Sequence, residues 1–402
     1  MLEHLAKVDV VTDLQFGSTG KGQVVASLVH THPDRYRFIL KNGVAQAGHT
    51  VAWQDSDAPV DAPTQRAIGE HALILHYLPS LFYAWREFWE RVKENPPVLV
   101  LGPATILDPN TFINELKQIH RAVLSHFQSL PFDQWPRFTL LLASTIKVVD
   151  HSILKDYEKG LVERIGSTGT GVGSARARVI LREALTLLEV LTQDREDQPE
   201  SHRELKRLLS SQKLTPFRFQ LIDYHTWIQG VLMNPDIRLL IEGTQGYGLS
   251  LHGRYYPYAT STQITTSSLL GDLFIPPQAI DRVIGVMRTW PIRVGGNSGP
   301  MRMEVDWNIL RAFNPFIRPE KTTVTQRTRR IGYFDLTDIV EAILVNGVTD
   351  IVVNFLNYMP GWSEEFLHLL ESLFWWVDFH RGTELPSSLV RIQFNDGRDE
   401  RH

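Results

Sequence analysis

The sequence predicts an α/β fold: a large, mostly parallel central sheet covered by helices. Three observations carry this. Short β-branched apolar runs recur along the chain, helical stretches separate them, and several runs end in glycine-rich turns. Strands buried on both faces read as continuous apolar segments, and parallel neighbours need helical crossovers between them.

Val8 to Leu14 reads as the first strand, Gln15 to Gly22 as a glycine-rich turn, and Gln23 to Val29 as a helix. Tyr36 to Leu40 is a second strand, ending in Lys41-Asn-Gly43. The polar stretch Gln54 to Pro63, with prolines at 59 and 63, suits a surface loop. Leu81 to Val92 has aromatics at helical spacing and is expected to pack into the core. Val98 to Leu101, Thr139 to Leu142, Arg238 to Glu242, Val283 to Met287 and Asp350 to Asn354 are further buried strands. The charge run Asp194 to Ser201 reads as a solvated loop.

At 402 residues, with 43% hydrophobic and 21% charged side chains, the chain is globular rather than disordered or fibrous. We expect a single catalytic domain over 1–402, with insertions near 54–63 and 194–201. Forty-one basic against 45 acidic residues give a net charge of −4, which argues against direct nucleic-acid binding. The absence of cysteine excludes disulfides, thiolate metal sites and cysteine nucleophiles. No apolar run approaches the ~18 residues that span a bilayer, and Met1 to Lys7 is too charged for a signal core. A cytoplasmic protein without membrane partners is the expectation.

Several segments could carry chemistry. In Gly17-Ser-Thr-Gly-Lys-Gly22, backbone N–H groups can converge on an anion, the following helix adds partial positive charge, and Lys21 can reach a phosphate oxygen. The spacing is neither that of a P-loop nor G-x-G-x-x-G, and a plain tight turn is the alternative. His49, in Asn42-Gly-Val-Ala-Gln-Ala-Gly-His-Thr50, follows a strand end, where ligands of open α/β sheets bind. A lone histidine is usually structural; beside a phosphate turn it gains weight as a proton donor. Ile165 to Gly173 is a second glycine- and hydroxyl-rich segment, with Arg176, Arg178 and Arg182 downstream; a flexible loop before a helix with solvated arginines is the plain alternative. Glu242-Gly-Thr-Gln-Gly246 ends a buried strand, and Gln326-Arg-Thr-Arg-Arg330 could clamp phosphates or a dicarboxylate.

Together and in order, these segments resemble the adenylosuccinate synthetase family. Gly17 to Gly22 stands for the family's Gly-Asp-Glu-Gly-Lys-Gly, and Ala47-Gly-His-Thr50 for its Asn-Ala-Gly-His-Thr. Ser167 to Gly173 stands for Thr-Thr-Gly-Arg-Gly-Ile-Gly, Glu242 to Gly246 for Glu-Gly-Ala-Gln-Gly, and Tyr256 to Ser261 for Tyr-Pro-Tyr-Val-Thr-Ser. Arg293-Val-Gly-Gly296 and Arg327 to Gly332 continue the match.

The resemblance implies an adenylosuccinate-synthetase-like (P-loop-like) fold and a two-step ligase. A nucleoside triphosphate phosphorylates O6 of a purine monophosphate, and the amine of L-aspartate then displaces phosphate at C6. It implies Mg2+, held by Ser18 and the Gly48 carbonyl, and a homodimer. Lys21, His49 and Gln245 take the catalytic positions. Ser18, Gln46, Thr168, Arg182, Gln245 and Thr260 fall at the monophosphate site, with Arg182 reaching across the dimer. Gly17, Thr19, Gly20, Lys21, Gly22, Gly48, His49, Thr50, Asn357 and Gly397 fall at the triphosphate site. Val294, Thr325, Arg327 and Arg329 fall in the aspartate clamp.

Two departures bear on the substrates. Ser18 stands where the family has its catalytic aspartate, and a hydroxyl is no carboxylate base. A phage-encoded branch of the family carries such a replacement and uses dGMP, since a smaller residue leaves space for the 2-amino group of guanine. Counting from Gly332 to Asp335, Asn354-Phe-Leu-Asn357 stands where the family's Thr-Lys-Leu-Asp reads guanine. An amide offers both donor and acceptor, which suits adenine, so ATP or dATP is the expected donor. Phe394 to Arg398 loosely resembles the family's base-covering loop, and Gln46 and Thr170 replace its asparagine and arginine. The expected reaction joins dGMP and L-aspartate. The alternatives are an ordinary enzyme using IMP and GTP, an inactive nucleotide-binding protein and, more distantly, a dinucleotide-dependent oxidoreductase.

Overall fold

The computed structural model describes residues 5–45, 48–52, 72–80, 89–90, 92–131, 134–193, 196–211, 216–322, 327–359, 365–366, 368, 370 and 392–395. Its main sheet has nine strands: β1 (Lys7–Asp13), β2 (Phe38–Lys41), β3 (Val98–Leu101), β4 (Phe138–Ala143), β5 (Phe217–Ile222), β6 (Arg238–Glu242), β7 (Ile280–Arg288), β8 (Asp350–Asn354) and β9 (Ile392–Asn395). The spatial order is β5-β4-β3-β2-β6-β1-β7-β8-β9, and every pairing is parallel. All seven predicted strands are present, each within a few residues of its expected bounds. β1 shows why they were legible: after Lys7 every residue is buried, as a strand covered on both faces requires.

β5 went unpredicted. It is an edge strand whose first four residues, Phe217-Arg-Phe-Gln220, alternate buried and exposed, so it carries no continuous apolar run. β9 corrects another expectation: Phe394 and Asn395 belong to a strand beside β8 rather than to a base-covering loop. Gly397 lies outside the described residues, as do 54–63 and most of the predicted helix at 81–92. The charge run at 194–201 is not loop throughout, because a helix begins at Glu200 and takes in Ser201.

Helix α1 (Lys21–Thr31) follows β1, and α2 (Pro109–Phe127) opens on Asp108, whose carboxylate accepts from the Thr111 N–H at 2.9 Å. Later come α3 (Val172–Ile180) and α4 (Leu336–Asn346). One large apolar cluster joins the strands from β1 to β6 with α1 and α2, and a smaller one packs α4 against β7 and β8.

The topology fixes where a ligand can sit. From β1 the chain steps outward through β2 to β5, returns as β6 beside β1, then crosses to β7 and β8. This reversal at β1 opens a crevice at the carboxyl edge, the usual ligand position in such sheets. Asp13, Lys41, Glu242, Arg288 and Asn354 end β1, β2, β6, β7 and β8 in turn. In register, Ile241 pairs with Leu40 and Arg288 with Asn354, so charged and amide side chains collect along one edge.

Candidate functional site

The glycine turn runs from the end of β1 into α1. Gly20, the residue before α1, has φ 91 and offers no side chain to cap the helix. The first N–H groups of α1 therefore lack a side-chain cap, the condition for anion binding. A Cβ at Gly20 would stand 2.5 Å from Asn354 Nδ2, so glycine is required on steric grounds as well. Asn354 itself donates to the Thr19 carbonyl at 2.6 Å, which fastens the end of β8 onto the turn.

Beneath the turn lies Asp13, fully buried. One of its oxygens accepts from the N–H groups of Gln15 (2.8 Å) and Gly17 (3.3 Å). The other accepts from the Thr19 hydroxyl (2.6 Å) and the Lys21 ammonium (3.1 Å). Lys21, 4% exposed, also donates to the Gln245 carbonyl at 2.5 Å. Gln245 holds φ 60 and Ser18 φ 56, both in the left-handed region that non-glycine residues avoid. Strain of this kind collects at functional sites, and here it aims a carbonyl at Lys21.

His49 sits in a second buried cluster. Its Nδ1 pairs with Glu242 at the end of β6, and Ser80 donates to the same carboxylate through its N–H (2.7 Å) and hydroxyl (2.8 Å). The Lys41 ammonium, wholly buried, stands 3.5 Å from Glu242. Burial alone would raise the Glu242 carboxyl, but Lys41 and these donors hold it well below the usual carboxylate range. Burial, with Lys41 adding repulsion, pushes His49 down to about 4, so the ring is neutral near pH 7. His76 is pushed down to about 4 by the same two causes.

These two rings make stability pH-dependent. Their folded-state values lie below the unfolded value near 6.5, so the unfolded chain binds more protons between about pH 6.5 and about pH 4. Stability is therefore expected to fall as pH drops through that window. Urea unfolding at pH 7 and pH 5 checks this against the double variant His49→Gln/His76→Gln. A wild-type pH slope no steeper than the variant's would contradict neutral buried rings.

The remaining predicted residues surround the turn to different degrees. Arg293 lies 4.4 Å over the Phe16 ring and leads into Val294, whose carbonyl accepts from Ser298. Arg327 is exposed and sits beside Gly295 and Gly296, so Val294 and Arg327 share one corner. Arg329 donates its N–H to the Glu320 carbonyl at 2.8 Å. Glu320 in turn pairs with Arg288, which donates to the Ser18 carbonyl at 3.1 Å, linking Arg329 to the turn. Arg330 is not part of a clamp: it pairs with Glu304 and donates to the Gly299 carbonyl. Thr260 is buried, its N–H on the Leu249 carbonyl, and a Cβ at Gly48 would stand 2.9 Å from Ile74 Cγ2.

The second glycine segment corrects an expectation. The N–H groups of Gly171 and Ser174, at the start of α3, are not open to a phosphate, since the Glu158 carboxylate accepts both (2.8 and 3.0 Å). Thr168 keeps a hydroxyl contact with Thr170 at 3.2 Å, and Gly166 packs against Asn297, which brings this segment to the Val294 corner. Arg176 is half-buried near Asp272 rather than fully solvated. Arg182 is exposed within one chain, at φ 64, and donates to the Ile180 carbonyl. Gln46 and Thr325 lie outside the described residues, as do the side chains of Thr50 and Asn357.

Sequence reasoning assigned no role to Asp13, Lys41, Glu242, Arg288 or Ser80. The first four share a signal, since each is a charged residue closing an apolar strand. Ser80 carries none. Phe355 holds φ 64, and the Arg288 guanidinium lies 3.9 Å from its ring centroid. The lysine expected by family pattern is thus replaced by a ring stacked on a buried cation.

A doubly flanked parallel sheet with an uncapped glycine turn, a buried lysine and a carboxylate-held histidine at its switch point defines a nucleotide-handling α/β enzyme. Residues 10–364 match the family described as adenylosuccinate synthetase, and the chain belongs to that family, which makes it a ligase. It is 27% identical over 374 residues, 91% of each chain, to the N6-succino-2-amino-2'-deoxyadenylate synthase of Vibrio phage phiVC8. It is 28% identical to the adenylosuccinate synthetase of Pyrococcus horikoshii, over 87% of this chain and 83% of that one. Among solved structures it resembles the cyanophage S-2L succinoaminodeoxyadenylate synthetase bound to dGMP and dATP as an energy donor. That match has a TM-score of 0.66 and 26% identity over 92% of this chain and 90% of the other. Among the described residues no helix is long and apolar enough to cross a membrane.

Proposed function

We propose that the whole chain acts as one catalytic unit that joins dGMP to L-aspartate, driven by ATP or dATP, to give N6-succino-2-amino-2'-deoxyadenylate for 2-aminoadenine DNA. The observation that carries this is the neutral Ser18 in a turn that otherwise keeps its lysine and sits beside a histidine held by a carboxylate. Similarity to phage enzymes of this name, one of them solved with dGMP and dATP, supports it.

In the first step the γ-phosphoryl moves to O6 of guanine as N1 loses its proton. In the second the aspartate amine adds at C6 and phosphate leaves. Phosphoryl transfer is mainly positioning and charge stabilisation. Lys21 and the uncapped N–H groups of α1 meet the phosphoryl oxygens, with the backbone of Gly17, Thr19, Gly20 and Gly22 forming the cradle. With Nδ1–H given to Glu242, donation from His49 Nε2 requires the imidazolium, a form that a nearby phosphoryl dianion favours. Ser18, Gln46, Thr168, Gln245 and Thr260 hold dGMP. Val294, Thr325, Arg327 and Arg329 hold aspartate, and Asn357 reads adenine.

Mg2+ fits the donor set, because the Ser18 hydroxyl and Gly48 carbonyl are hard oxygens. The described residues hold no cluster of three acids or histidines, so the phosphates themselves supply the negative charge. Bound there, Mg2+ would neutralise charge on the phosphate oxygens. Arg182 contributes from a second copy of the chain: Ile180 and Leu181, which precede it, are exposed by 60% or more, as a residue at a homodimer contact would be.

Aspartate-dependent phosphate release with dGMP and with IMP tests the reading. We expect dGMP to be preferred, and preference for IMP would overturn it. Ser18→Asp is expected to lower dGMP use relative to IMP by about tenfold or more, since a carboxylate both fills the space and restores the base. An unchanged ratio would count against the space argument.

A further inference from the structure

The geometry points to Asp13 as the positioning residue for Lys21, the carboxylate that this turn uses although position 18 holds none. This rests on reading Lys21 as the group that meets the transferring phosphoryl. An ammonium has three N–H groups. One goes to Asp13 (3.1 Å) and one to the Gln245 carbonyl (2.5 Å), which leaves a single N–H with a fixed direction. Both side chains are buried, at 4% and 0% exposure, so neither can exchange its partner for water. A donor whose other bonds are engaged is preorganised and need not reorient as charge develops.

The same carboxylate shapes the turn. Its first oxygen gathers the N–H groups of Gln15 and Gly17, and its second takes the Thr19 hydroxyl alongside Lys21. Ser18 stands between Gly17 and Thr19, held in its left-handed conformation by bonds on either side. A Cβ at Gly246 would stand 2.6 Å from Asp13 Oδ1, so the Gln245 segment also closes directly over Asp13. Asp13 touches no open surface, and its contribution runs through Lys21 rather than through contact with substrate.

A double-mutant cycle separates this from a purely structural role. The variants are Asp13→Asn, Lys21→Met and the pair, read as phosphate release from dGMP, aspartate and dATP. Asparagine keeps an acceptor for the two N–H groups and can give its amide to Thr19, so the paired variant leaves no buried charge. Asp13→Asn is expected to lower kcat by at least ~30-fold, with KM for dGMP and aspartate within ~3-fold, and the pair to be no slower than Lys21→Met alone. Multiplying losses would show that Asp13 acts independently of Lys21 and would overturn the proposal. If Asp13→Asn does not fold, folding of the pair supports it and failure of the pair overturns it. A wild-type chain inactive on dGMP defeats the functional reading alone. The same cycle read as dATP affinity then decides for Asp13, with non-additive losses supporting it and additive ones overturning it.

Discussion

Lys21→Ala is expected to reduce kcat for aspartate-dependent phosphate release by at least ~10²-fold, with the fold intact. The size follows from the environment. The ammonium is buried and carries one N–H beyond its bonds to Asp13 and the Gln245 carbonyl, so no water can substitute for it at the phosphoryl oxygens. The fold should survive at some cost in stability, because Asp13 loses its counter-charge but keeps three other donors. Circular dichroism and steady-state kinetics on the same preparation check both halves. Turnover within a few-fold of wild type would remove Lys21 from the chemistry, and with it the argument for this turn as the phosphoryl site.

The second large effect belongs to Glu242. Replacement by glutamine leaves Lys41 buried without a counter-charge and is expected to cost ~3–5 kcal/mol of stability. His49 loses the charged carboxylate that holds its ring and is left with at most one amide oxygen, shared with Ser80, so turnover should also fall by ~10²-fold. The two consequences can be separated. Adding Lys41→Met removes the orphaned cation, so stability should largely return while turnover stays low. Recovery of both together would mean that Glu242 serves only to neutralise Lys41. Loss of neither would mean that the cluster does not form in solution.

Much of this molecule could be read from its residues. Seven strands of the main sheet announced themselves as short β-branched or apolar runs, because a strand covered on both faces has no polar side to impose alternation. The edge strand β5 escaped for the converse reason, its alternate residues meeting solvent. Glycine turns marked the start of α1 and of α3 equally well, yet one is open and the other closed. Nothing near Gly171 in the sequence says that Glu158, thirteen residues upstream, will occupy its N–H.

By itself the sequence determined the α/β class and the turn before α1 and singled out Lys21 and His49 as candidates, since periodicity and local backbone demands are encoded within a few neighbouring positions. Tertiary structure alone decided what those residues are bonded to. Lys21 meets Gln245 across 224 positions and His49 meets Glu242 across 193. Such pairings are set by strand order and register, which bring the ends of β1, β2, β6, β7 and β8 to one edge. No local pattern carries that information, because a residue's charge is written in the sequence but its distance from another charge is a property of the packed sheet.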